Sequence, residues 1–193
     1  MKIIAINNGD GRELPQQVNI IADSAVIKTN KPLFLPHFAQ RFTAKPAIVL
    51  HIDRLGKHIA QRFAHRYTLA VAPAIKVTAR DISTQQQCEQ LSALASSFDG
   101  ALLLGDFAQV SQMGNINATT VTMDINGDNK GGGTLESNGL DYSHIIASLS
   151  TFFTLKMGDM IVVEMTADDF DINIGDTLHA SCNEQRLLTI RVK

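Results

Sequence analysis

The chain has no tryptophan, two cysteines, five prolines and only 6% aromatic residues. Cys88 and Cys182 lie far apart, so they supply neither a disulfide framework nor a zinc-ligand spacing. No apolar run approaches the roughly 18–20 residues that a membrane-spanning helix needs, and no membrane partner is expected. Lys+Arg number 17 against 19 Asp+Glu, a net charge of −2, and no basic cluster stands out. The electrostatic footprint of a nucleic-acid-binding protein is therefore missing. The apolar opening, residues 2–6, runs straight into Asn7-Asn8-Gly9-Asp10-Gly11 and is too short for a signal-peptide core. With so little cysteine, this leads to a cytoplasmic expectation. What is present is 45% apolar residues over 193 positions, enough to bury a core in one domain spanning 1–193.

Strand-like runs separated by turn signals dominate the pattern. Residues 2–6, 18–21, 25–28, 47–52, 118–125, 160–165, 177–182 and 187–192 read as strands. Asn7 to Gly11 reads as a hairpin turn, because Asn and Gly accept positive φ. Leu33-Phe34-Leu35, bracketed by Pro32 and Pro36, reads as a brief edge strand. Residues 68–77 are apolar except for Thr68 and Lys76, and Pro73 predicts a bulge or break there. Helical spacing occurs at 58–65, where Ile59 and Phe63 are four apart, and at 84–95, where Cys88, Leu91 and Ala95 share a face. It is clearest at 141–153, where Ile145, Ile146, Leu149, Phe152 and Phe153 make an apolar stripe. The expected class is a β-rich α+β fold with two or three short helices.

Several clusters have chemical potential, and each has a plainer reading. His51 and Asp53 share a strand face, with His58 and His65 nearby, which suits an imidazole–carboxylate metal site or simply a solvated strand end. Gly131-Gly132-Gly133 lacks the strand–loop–helix context of a phosphate cradle and reads as a hairpin loop. Asp168-Asp169-Phe170-Asp171 has the oxygen ligands for a hard cation but reads as a solvated acidic turn. Cys88 and Cys182 lie on apolar faces and read as small core residues. Lys76 is different: set in Val71-Ala72-Pro73-Ala74-Ile75-Lys76-Val77, it must snorkel, pair with an acid, or serve a site.

Val77-Thr78-Ala79-Arg80-Asp81 resembles the V/M-T-A-R-D signature of the fumarylacetoacetate hydrolase (FAH) family. Ser97-Phe98-Asp99-Gly100 resembles the end of that family's K-S-F-D-G segment, and Leu155-Lys156-Met157-Gly158-Asp159 its L-x-x-G-D segment. Ile174-Gly175-Asp176 is similar to its final G-D turn, and Lys31 to Pro36 to its proline-bracketed strand. Val71-Ala72-Pro73-Ala74-Ile75 is similar to the hydratase and decarboxylase branch. The resemblance runs over about residues 18–193. It implies an FAH-type fold of stacked mixed β-sheets, a homodimer, and a Mg²⁺ or Mn²⁺ ion held by acidic residues. That cation would grip an oxo-acid and stabilise its enolate.

The departures from the family fall on its chemistry. In ungapped register from Thr78, Lys76 stands where the family has an acid, and Lys45 and Ala47 stand where its E-x-E strand has two glutamates. Three carboxylates are thus replaced by two ammonium groups and a methyl. Ser96 replaces the Lys of K-S-F-D-G, Val163-Glu164-Met165-Thr166 replaces a T-G-T-P loop, and residues 1–30 lack the family's lid motif. No metal cofactor is expected at these positions. Lys45, Lys76, Thr78 and Arg80 are the expected substrate-binding set for a small anionic oxo-acid. Lys76 and Arg80 are the catalytic candidates, since close ammonium groups lower one another's pKa, as in a Schiff-base lysine. The expected function is a divergent member, a pseudoenzyme candidate, that keeps the fold as a dimeric or oxo-acid-binding module without the metal-dependent hydrolase activity. The alternative is an active hydrolase, decarboxylase or hydratase that uses Lys45, Lys76 and Arg80, or a metal site elsewhere, for example at His51 and Asp53.

Overall fold

Two long runs of small and β-branched residues organise the molecule. In the computed structural model, which describes residues 1–6, 18–83, 94–166 and 168–193, they form β4 (Phe42–His51) and β5 (Ala70–Ala79). These pair antiparallel over their whole length, with Phe42 opposite Ala79 and His51 opposite Ala70. On the other side of β4 lies β10 (Met160–Glu164), followed by β1 (Ile3–Ile6), parallel to it, and β2 (Val18–Ile21) at the edge. Beyond β5 come β6 (Leu102–Leu104) and β3 (Val26–Lys28). The short β7 (Ala108–Gln109) and β11 (Phe170–Ile172) add to β5 and β4, giving nine strands in this sheet among the described residues. A second, four-stranded sheet has the order β13 (Gln185–Arg191), β12 (Thr177–Cys182), β8 (Val121–Ile125), β9 (Asp128–Gly133).

The period-2 geometry of strands sends alternate residues to opposite faces, and the large sheet is apolar on both. Ala44, Ile75 and Val77 pack with Met123, Leu178, Leu188 and Ile190 of the small sheet. Ile48, Leu50, Ile161 and Val163 pack with Ile145, Ile146 and Leu149 of the longest described helix. On the opposite face, Ile3, Ala5, Ala47, Val49, Ala72, Ala74, Met160 and Val162 form a separate cluster of mostly small side chains. That helix, Tyr142–Phe152, follows the short helices α1 (Arg80–Ser83) and α2 (Val110–Met113) and is labelled α3. It begins where it does because Asp141 accepts hydrogen bonds from the N–H groups of Ser143 and His144. Among the described residues no helix is long and apolar enough to cross a membrane.

The β-rich architecture agrees with the sequence reading, with five local corrections. Pro73 does not break its strand. Its carbonyl accepts from Gly105 N–H on the side away from β4, so its missing donor also faces outward, between the segments paired to β6 and β7. The helix expected at 58–65 is a 3-10 turn at Gln61–Arg66, with Ile59 buried and Phe63 exposed. Gly131-Gly132-Gly133 is part of β9, not a loop, and pairs with β8. Leu33 forms only an isolated bridge to Val192. Phe152 leaves the apolar stripe of α3 and is exposed. The helix expected at 84–95, Cys88 included, and the hairpin turn at 7–11 lie largely or wholly outside the described residues.

Candidate functional site

Strand register builds the site. Residues directly opposite one another share a sheet face, and β4 and β5 bring Thr43 opposite Thr78, Lys45 opposite Lys76, and Ala47 opposite Ala74. On the far side of β4, Glu164 of β10 is opposite Ala47. Thr43, Lys45, Lys76, Thr78 and Glu164 therefore all lie on the small-residue face, at one end of three adjacent strands. Arg80 leaves the end of β5 on the same side, and Asp169 enters from the segment between β10 and β11.

The charges form one network. Lys76 Nζ donates to Glu164 Oε1 at 2.5 Å, both side chains being almost wholly buried. Lys45 Nζ lies 3.7 Å from Glu164 Oε2 and 3.8 Å from Asp169 Oδ2. The Arg80 guanidinium pairs with Asp169 Oδ2, and its Nε donates to Thr43 Oγ1 at 3.2 Å. Thr43 Oγ1 in turn donates to Asp169 Oδ1 at 3.2 Å. Burial pushes the Lys45 amine below its ordinary value; Arg80 and Lys76 push the same way, against the opposing attraction of Glu164. Three cationic side chains thus share two carboxylates.

The cations of this network are legible in the sequence, and the anions are not. Lys45, Lys76 and Arg80 do converge, with Thr78 on the same face. In the sequence Glu164 stands out only as part of Val163-Glu164-Met165-Thr166, in place of the family's T-G-T-P loop. Asp169 does not belong to a solvated acidic turn, contrary to the expectation from sequence: it pairs with Arg80 and Lys45, while Asp171 pairs with Arg41 at 2.9 Å. Glu164 also sits one strand away from Ala47, where the family resemblance places a glutamate. Asp81 turns away from the network: its carboxylate accepts from Gln40 N–H at 2.6 Å and Arg41 N–H at 3.3 Å. Those bonds, Gln40's foremost, hold its pKa below the ordinary value.

The other candidates lie elsewhere. His51 Nδ1 contacts Asp53 Oδ1 at 2.8 Å, while Asp53 Oδ2 accepts from Leu69 N–H at 2.7 Å, so this carboxylate ties a strand end together. No group of three or more His, Cys, Asp and Glu suited to a metal ion is found among the described residues. Cys182 is buried, and burial pushes its thiol up to about 12, consistent with a core residue.

A large two-faced sheet packed on a smaller one, with polar residues ending three neighbouring strands, defines the architectural class. The family described as "Fumarylacetoacetate (FAA) hydrolase C-terminal" matches residues 9–192, and the chain belongs to it. The mitochondrial oxaloacetate tautomerase fahd-1 of Caenorhabditis elegans is 25% identical over 173 residues, covering 87% of this chain and 80% of that protein. A crystal structure of a fumarylacetoacetate hydrolase family protein from Yersinia pestis CO92 superposes with a TM-score of 0.89 at 20% identity, covering 100% of this chain and 92% of the other. Fumarylpyruvate hydrolase from Pseudomonas aeruginosa, solved with Mn²⁺ and pyruvate, also gives a TM-score of 0.89, at 16% identity, covering 100% and 89%.

Proposed function

We propose that this chain is a divergent FAH-family protein that binds a small anionic oxo-acid as a cytoplasmic homodimer, without the family's metal-dependent hydrolase chemistry. The observation that carries this reading is the Lys76–Glu164 ion pair, with Lys45 against the same carboxylate. A divalent cation does not fit this donor set. Glu164 and Asp169 are already engaged by ammonium and guanidinium groups, and a second cation among three fixed positive charges meets repulsion at low dielectric. The same surplus of one positive charge suits a carboxylate ligand. Arg80 offers a planar fork for a carboxylate, and the lysines offer point charges for an oxo group. Lys76 would take the cation's place as a tethered charge, with Lys45, Thr78 and Arg80 completing the binding set.

Calorimetric titration of the purified chain tests this at near-neutral pH. Pyruvate or oxaloacetate should give a saturable heat, and Mg²⁺ and Mn²⁺ at millimolar concentration should give none. Replacing Arg80 by Ala should weaken oxo-acid binding by about 10-fold or more, the loss of one charge-assisted contact. Stoichiometric binding of either cation would overturn the proposal.

A further inference from the structure

We infer that Lys45 is a nucleophile, condensing with the C2 carbonyl of a small 2-oxo acid to form a protonated imine. This rests on the reading of the site as an oxo-acid pocket and adds covalent chemistry to it. Two lysines face the same carboxylate, and the geometry separates their roles. Lys76 is held at 2.5 Å from Glu164 Oε1 with a side chain 11% exposed, an ion pair that leaves its Nζ little room to reach a ligand carbon. Lys45 is set back at 3.7 and 3.8 Å from its two carboxylates and is 19% exposed. It lies between Lys76, directly opposite on β5, and Arg80, which shares Asp169 with it. Burial and both neighbours work against its charge, and Glu164 works for it, so that a larger fraction than for an ordinary lysine is present as the neutral, nucleophilic amine.

In the condensation, the lone pair of neutral Lys45 Nζ forms the bond to C2, and the carbonyl π electrons move onto oxygen. Nitrogen gives up a proton and oxygen takes one, producing a carbinolamine, with the Glu164 carboxylate as acceptor and the Lys76 ammonium as donor. A further proton from Lys76, restored from solvent, lets the C2–oxygen bond break and water leave as the C=N⁺ bond forms. The balance is amine plus ketone plus one proton giving iminium plus water, with no oxidant or reductant. The ligand's carboxylate is left for Arg80. The iminium withdraws electrons from the neighbouring carbon, so it can acidify a C3 hydrogen or release a 3-carboxylate as carbon dioxide.

The test is reductive trapping of the intact chain with pyruvate and borohydride, followed by whole-protein mass measurement and peptide mapping. Pyruvate binding to the same preparation is measured calorimetrically without borohydride. One adduct per chain is expected, on Lys45, and absent from a Lys45→Arg variant whose unfolding midpoint matches the parent. Mapping the adduct on the unaltered chain keeps the test decisive if that variant folds poorly. Binding without an adduct, or an adduct on Lys76 or scattered over other lysines, overturns this inference and leaves the oxo-acid reading standing. Neither binding nor adduct overturns both.

Discussion

Lys76 is buried among small apolar side chains, and Glu164 is what allows its charge to remain there. Removing one member of a buried pair leaves an uncompensated charge, at a cost of about 3–5 kcal/mol. Glu164→Gln should therefore lower stability in urea by about that amount, whereas the double change Lys76→Met/Glu164→Leu should recover most of the loss. Failure of the double variant to recover would mean that the pair does more than neutralise itself. A second residue-scale effect lies at Asp159, which is 2% exposed. Burial works against its ionisation, but hydrogen bonds from Lys2 Nζ at 2.5 Å, Lys2 N–H at 2.7 Å and Lys156 N–H at 2.8 Å outweigh it and hold the pKa low. A carboxylate whose folded-state pKa is depressed stabilises above its unfolded pKa, near 4, and that contribution is lost as pH falls through the lower folded value. Asp159→Asn should cost about 2 kcal/mol at neutral pH. The gap from the parent should narrow as unfolding is measured at progressively lower pH below about 4.

At the scale of elements, α3 and β9 each depend on one residue outside the apolar pattern. Asp141 caps α3 by accepting from Ser143 N–H at 2.6 Å and His144 N–H at 3.2 Å. Asp141→Ala should remove about 1 kcal/mol, read as a lower unfolding midpoint. Gly132 in β9 has φ +154°, and a Cβ built there would overlap the carbonyl oxygen of Val121. Gly132→Ala should loosen the β8–β9 hairpin, with faster amide exchange at Val121 and Thr122 before any change in the large sheet. These elements also show how far local pattern reaches. The apolar spacing of 141–153 and the alternation of 121–125 were legible because a face buried along one element leaves a periodic trace. The unbroken course of β5 through Pro73 was not legible, because it depends on which neighbour stands beside that proline.

For the whole molecule, the proposed function treats the site as a charge network closed by its own side chains. Thermal unfolding should be unaffected by EDTA and by millimolar Mg²⁺ or Mn²⁺, whereas a bound oxo-acid should raise the midpoint with its concentration. A rise with either cation would restore a metal-dependent reading. Sedimentation equilibrium should return twice the mass of one chain if the homodimer forms.

Composition, alternation and turn residues were enough to determine a β-rich chain, and the Thr78-Ala79-Arg80-Asp81 segment and its companions were enough to indicate the family. These signals are local, written along one strand or helix at a time. Local pattern also singled out Lys76, a charge inside an apolar run, while Lys45 and Arg80 followed from the register and motif of the family resemblance. Only the tertiary structure decided that Glu164 and Asp169 neutralise them, since Glu164 reaches Lys76 from 88 positions away. Cross-strand register, which brings β10 against β4 and β4 against β5, is set by the burial of both faces of the large sheet. The sequence carries no separate mark of it. The same register turned a site that reads as purely cationic along the chain into a cation–carboxylate network in space.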